Sequence, residues 1–147
     1  MNGLSVQGLS KAYGDASVRA LDNFSLDFPA DQCTVLLGPS GCGKTTVLRS
    51  IAGLIAPDAG RITIDGAVVF DAASGSDVPP EKRRLGMVFQ SYALWPHLSV
   101  AENIAYPLLS AGLPKAEVAR RTVATLDWIG LGGMGSRYVH ELSGGQQ

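Results

Sequence analysis

Only two cysteines occur in 147 residues, Cys33 and Cys42, too few for a disulfide framework, and no Cys/His cluster has metal-ligand spacing. A reducing, cytoplasmic setting is the expectation. Basic charge is also scarce. The chain sets 12 Lys and Arg against 13 Asp and Glu, a formal net charge of −1 with no basic stripe. That balance speaks against tight binding to bulk nucleic acid, so no such partner is expected. Long apolar runs are missing too. The run from 33 to 37 falls far short of the roughly 18 to 20 residues that span a bilayer, and no basic segment precedes an apolar one at the N-terminus. A soluble, unexported chain is therefore expected, with 46% hydrophobic residues to fill one modest core. Glycine is in excess: 18 residues without a short period point to turns that need unusual dihedrals.

Leu4, Val6 and Leu9, then Phe24, Leu26 and Phe28, lie at mostly two-residue spacing and predict two antiparallel strands, bounded by Gly14-Asp15 and by Pro29-Ala30-Asp31. The apolar run 33–37 stops at Gly38 and predicts a central strand buried on both faces. From Lys44 onward, Val47, Leu48, Ile51 and Ala52 recur at helical spacing, and Gly53 marks the stop. Ile62, Ile64, Val68 and Phe70 predict a hairpin turned at Asp65-Gly66. Residues 72–77 read as a polar surface loop, and 85–89 as a second buried strand. Lys82, Arg83 and Arg84 read as solvated surface, since no aromatics interleave them. Ser99 with Glu102 forms a capping box opening a helix that turns Val100, Ile104 and Leu108 inward, with Pro107 disturbing its end. Pro114 starts the next helix, whose Val118, Val123, Leu126 and Ile129 make an apolar stripe ending at Gly130.

Gly38, Pro39, Ser40, Gly41, Cys42, Gly43, Lys44 and Thr45 match G-x-x-x-x-G-K-[ST] between a predicted strand and a predicted helix, the context that pattern requires. Glycines there let successive N–H groups turn inward and form an anion nest at the positive end of the helix. Lys44 supplies a point charge for β and γ phosphates, Thr45 a hydroxyl ligand for Mg²⁺, and Thr46 a contact to the α phosphate. The pattern specifies a nucleotide phosphate; kinases, GTPases, motors and transporter ATPases all share it.

Leu142, Ser143, Gly144, Gly145 and Gln146 taken alone read as a Ser-Gly turn capping a helix. Joined to the phosphate loop, they resemble the LSGGQ signature and Walker A motif of ATP-binding subunits of ABC transporters, a resemblance that spans the whole chain. The wording of 78–84 and 88–97 is similar to prokaryotic importers of sugars, polyamines or ferric iron. The resemblance implies an α/β fold, a P-loop NTPase core of ABC type. Residues 1–90 would hold the nucleotide-binding core with an antiparallel β subdomain, and 91–147 a helical subdomain ending in the signature. The C-terminal part of the sheet would be missing, the chain ending just after the signature.

ATP and Mg²⁺ are the implied cofactors, with Lys44 and Gln90 as catalytic residues and Thr45 and Gln90 as metal ligands. Gln90 would reach the metal and the attacking water as a neutral amide. Tyr13 would stack on adenine, although by itself it also reads as an ordinary strand-end aromatic. Ser143 would cap a helix whose Gly144 and Gly145 amides, with Gln146, meet the γ phosphate of ATP held by a second copy in a head-to-tail dimer. Tyr92, Leu94 and Trp95 would contact transmembrane permease subunits, or else fill the helical subdomain's own core. His97 is read as structural or as a coupling contact. A solute-binding protein would complete the system, and the subunit would sit peripherally on the inner face of the cell membrane.

In the family an apolar strand ending in Asp-Glu and a switch histidine follow the signature. The intact protein is therefore expected to hydrolyse ATP, and the 147-residue chain is not. Three readings compete: a soluble ABC-type ATPase acting on DNA or ribosomes, a phosphate-loop kinase with an Arg-rich lid, and a nucleotide-binding remnant without activity. The first would carry long insertions or tandem domains, and the second offers no reason for residues 142–146.

Overall fold

The computed structural model describes residues 3–14 and 18–147. It divides into two units, Met1–Met87 and Val88–Gln147. In the first, β1 (Leu4–Tyr13) and β2 (Val18–Phe28) run antiparallel, with Leu4 opposite Phe28 and Val6 opposite Leu26. The turn expected at Gly14-Asp15 lies partly outside the described residues, since Asp15 is not among them. On the other edge of β1 come β3 (Ala59–Ile64), β4 (Ala67–Asp71) and β5 (Ser76–Asp77), giving the order β2-β1-β3-β4-β5, every pair antiparallel. Asp65 (φ 49°) and Gly66 (φ 83°) both adopt left-handed dihedrals, the combination that matches a two-residue turn to the twist of β3 and β4. β5 corrects the reading of 72–77 as loop throughout: Ser76 and Asp77 pair with Asp71 and Phe70.

One face of this sheet is apolar. Val6, Leu9, Leu21, Ile62, Val69 and Phe70 bury themselves with Val47 and Ile51 of α1 (Lys44–Ile51). At roughly 1.5 to 3 kcal/mol per large apolar side chain, that contact is what seats α1 on the sheet. α1 ends as its glycine predicts, with Ala52 at the C-cap and Gly53 in the left-handed region at φ 79°.

Three expectations for this unit are corrected. Residues 33–37 form no strand. Val35 is 69% and Leu37 88% exposed, and of that run only Leu36 packs against the core. A strand buried on both faces needs a neighbour on each edge, and no described residue pairs with this segment. Residues 85–89 form no strand for the same reason, and Val88 lies open to solvent. The basic trio is not all surface: Lys82 and Arg84 are exposed, but Arg83 is buried.

The second unit is helical. α2 (Val100–Ser110) opens with the expected capping box: Glu102 N–H donates to Ser99 Oγ at 3.3 Å and Ser99 N–H to Glu102 Oε2 at 2.7 Å. Pro107 sits inside α2 without ending it, and the helix continues to Ser110. α3 (Lys115–Trp128) follows with Pro114 at its N-cap. Val100, Leu126, Leu131 and Leu142 form the core. The buried stripe of α3 is Val118, Thr122 and Leu126 at four-residue steps, while Val123 and Ile129 are exposed. That corrects the expected stripe, because a five-residue step turns Val123 roughly 140° away from Val118. No described helix is long and apolar enough to cross a membrane.

Candidate functional site

The phosphate loop is built from dihedrals that side chains resist. Gly41 (φ 82°) and Gly43 (φ 95°) are both left-handed, and Gly43 is buried at the N-cap of α1. A Cβ on Gly43 would overlap the Ala20 carbonyl oxygen and lie 2.9 Å from Leu21 Cδ2, so β2 presses directly on the loop. The ammonium of Lys44 lies inside the loop, donating to the carbonyls of Gly38 and Pro39, both at 2.7 Å, and lying 3.4 Å from Cys42 Sγ. Ser40, Cys42 and Thr45 are exposed.

The N-terminus of α1 differs from that of α2. In α2 the amides of Val100 and Ala101 donate to the carbonyls of Arg137 and Gly135 at 2.8 and 2.9 Å, in addition to the capping box. In α1 no side chain caps the helix, and Val47, donating to Gly43, makes its first backbone bond. Among the described residues the amides of Lys44, Thr45 and Thr46 meet no backbone carbonyl. Unpaired donors, a helix dipole and a fixed ammonium converge there, which is the chemistry of a polyanion site.

Beside the loop lies a cavity of about 270 Å³ lined by Tyr13, Val18, Ala20, Gly43, Lys44 and Thr46 among others. Tyr13 ends β1 with its hydroxyl 3.5 Å from Thr46 Oγ1 and its ring half exposed. Asp58 fixes that end of β1, accepting from Lys11 Nζ and Ala12 N–H at 2.7 Å each. The Lys11 ammonium, followed by the Ala12 amide, holds the Asp58 carboxyl below its ordinary range. Tyr13 and the loop are thus brought to one cavity. Sequence reasoning missed Asp58, whose one signal is its place in the turn Pro57-Asp58-Ala59-Gly60.

Gln90 and residues 143–146 belong to the other unit. Gln90 is exposed in an irregular segment. Ser143 opens a turn, its carbonyl accepting from Gln146 and Gln147 N–H at 2.8 and 3.1 Å, while its own N–H donates to Gln146 Oε1 at 3.0 Å. Residues 144–146 form a turn, and the bond from Gln147 N–H to the Ser143 carbonyl has the i to i−4 spacing of a helical first turn. Leu142 anchors that turn in the core, and Gly144 and Gly145 stand exposed. Tyr92 and Trp95 are largely exposed, whereas Leu94 lines an apolar cavity with Val100, Ile104 and Leu142. Trp95 lies 5.9 Å from His97 and 6.0 Å from Tyr106, ring centre to ring centre. Asn103 shapes this loop: its amide donates to the carbonyls of Trp95, Leu98 and Ser99 and accepts from Trp95 N–H. Nothing in the sequence distinguished that asparagine from a solvated helix residue.

The family model described as ABC transporter matches residues 21–147. The chain belongs to the ABC transporter family. It is 47% identical over 146 residues to "Fe(3+) ions import ATP-binding protein FbpC" of Photorhabdus laumondii subsp. laumondii, covering 99% of this chain and 39% of that one. It is 45% identical over 144 residues to "Spermidine/putrescine import ATP-binding protein PotA" of Nitrosospira multiformis, covering 98% and 38%. The chain therefore spans well under half the length of these ABC relatives. Among solved structures it is similar to the dimeric post-hydrolysis state of the ATP-binding cassette MJ0796 bound to ADP and Pi. The TM-score is 0.81 at 26% identity, over 97% of this chain and 64% of that one. The α/β fold is thus that of ABC ATPase cassettes, with the antiparallel sheet and three helices of the present chain as part of it.

Proposed function

We propose that this chain is the nucleotide-binding part of the ATP-hydrolysing, energy-coupling subunit of an ABC import system. The unpaired amides at the start of α1, around the ammonium of Lys44 and beside Tyr13, carry the reading. The triphosphate would accept from the amides of 41–46 while Lys44 moves from the Gly38 and Pro39 carbonyls onto β and γ oxygens. The adenine would stack on the exposed face of Tyr13. Mg²⁺ fits this donor set through the exposed Thr45 hydroxyl, with phosphate oxygens and water supplying the rest. No described cluster of three His, Cys, Asp or Glu would compete for it. Gln90 would complete the metal's shell and orient water. Hydrolysis is proposed for the whole protein; this chain covers 39% of the length of its FbpC relative.

Residues 143–146 would grip the γ phosphate bound to a second copy, making ATP the link of a head-to-tail dimer. Tyr92, Leu94 and Trp95 would meet permease subunits, placing the protein peripherally on the inner face of the membrane, with a solute-binding protein in the full system. The names of FbpC and PotA support import of a small charged solute, ferric ion or a polyamine.

Sedimentation tests the dimer. Gly145 has open space around it and no left-handed φ, so Gly145→Glu fits the monomer but sets a negative charge where a partner's polyanion would approach. The parent chain is expected to dimerise at saturating MgATP and stay monomeric without it; Gly145→Glu is expected to keep its thermal stability and remain monomeric throughout. A parent monomeric in MgATP, or an unaffected variant, contradicts the reading.

A further inference from the structure

Arg83 is the one arginine whose side chain is fully enclosed among those in ion pairs. Its guanidinium makes four bonds: Nε to the Val78 carbonyl at 2.7 Å, one terminal nitrogen to the carbonyls of Ser50 and Ile51 at 2.8 and 3.0 Å, and the other to Asp77 Oδ1 at 2.7 Å. Ser50 and Ile51 are the last two residues of α1. The side chain thus places a positive charge on the negative end of the helix whose positive end is the phosphate loop, and ties it to β5 and the segment after it. Gly53 makes room: a Cβ there would lie 2.7 Å from Arg83 Nε and 2.9 Å from Cζ. Burial pushes the guanidinium pKa down, opposed by Asp77. Directly afterwards Arg84 takes a left-handed φ of 55°, turning the chain at the start of the stretch that leaves this unit after Met87.

We infer that Arg83 is a positioning residue for the nucleotide site: it fixes the C-terminal end of α1, and through that short rigid helix it sets the direction of the amides at the other end. Lysine cannot replace it, since an ammonium lacks the planar fork that reaches three carbonyls and a carboxylate together. The inference rests on the nucleotide reading given above.

The test compares the parent chain with Arg83→Met, Arg83→Lys and Ile64→Ala, the last thinning the sheet's apolar face without removing any partner of Arg83. Two quantities are read at a temperature where all are folded: MgATP affinity by calorimetry, and amide hydrogen exchange across α1 without nucleotide. Both Arg83 variants are expected to bind MgATP about tenfold more weakly and to exchange faster in α1. Ile64→Ala is expected to match the parent in both, even where its melting temperature falls as far. Should Arg83→Met not fold, Arg83→Lys carries the comparison. Parent-like exchange and affinity in the Arg83 variants, or equal losses in Ile64→Ala, overturn the inference. A parent that binds no MgATP while Arg83→Met still loosens α1 sinks the nucleotide reading instead and confines Arg83 to the helix.

Discussion

Gly43→Ala is expected to lower the melting temperature of the first unit by at least about 10 °C and to abolish MgATP binding. Two costs add. At φ 95° a side chain is strained, by about 1 to 3 kcal/mol, and the new methyl would overlap the Ala20 carbonyl and crowd Leu21, an overpacking worth about 1 to 3 kcal/mol more. Relief requires α1 to move off β2, which turns the amides of 43–46 away from their common focus. Gly75→Ala separates the two effects. Gly75 also has a positive φ, 71°, but nothing lies within 4 Å of its Cβ position, so only the dihedral cost of about 1 kcal/mol applies. Thermal scans of both variants check the difference; equal shifts would show that contact with β2 does not hold the loop.

Lys44→Ala should behave in the opposite way, losing affinity while keeping the fold. Its ammonium is held by groups of the loop itself, the carbonyls of Gly38 and Pro39 and the sulfur of Cys42, at a site open enough for water to replace it, so little stability depends on it. A charge-assisted bond to phosphate is worth about 1.5 to 3 kcal/mol, which predicts MgATP binding weaker by about 10- to 100-fold. Lys44→Arg is expected to be nearly as weak, because a planar guanidinium does not fit where a compact ammonium sits between two carbonyls. Calorimetry alongside thermal scans checks both halves. Unchanged affinity in Lys44→Ala would remove the lysine from the site.

What the sequence made legible was local. Asp65-Gly66, Gly53 and the Ser99–Glu102 capping box each act within four residues, and each appears where its chemistry requires. The phosphate loop was readable for a related reason: left-handed glycines followed by a lysine at a helix start is a short-range pattern. Apart from the stripe of α3, where the spacing of Val123 misleads locally, the main failures are long-range. Residues 33–37 and 85–89 have the composition of buried strands, but a strand exists only where neighbouring backbone accepts its hydrogen bonds, and no described residue does. Lys82, Arg83 and Arg84 are indistinguishable as letters. Arg83 is buried because two carbonyls over thirty residues earlier in the chain end a helix beside it. Asn103 organises a loop by the same logic, satisfying carbonyls that its own spacing does not reveal.

The central claim is that main-chain amides at the start of α1 hold a polyphosphate. Amide proton chemical shifts of the ¹⁵N-labelled chain, followed during titration with MgATP, test it most directly. The account predicts the largest downfield shifts at Gly41, Gly43, Lys44, Thr45 and Thr46, with the capped amides of Val100 and Ala101 unmoved. Saturating nucleotide that leaves the amides of 41–46 where they were would contradict it.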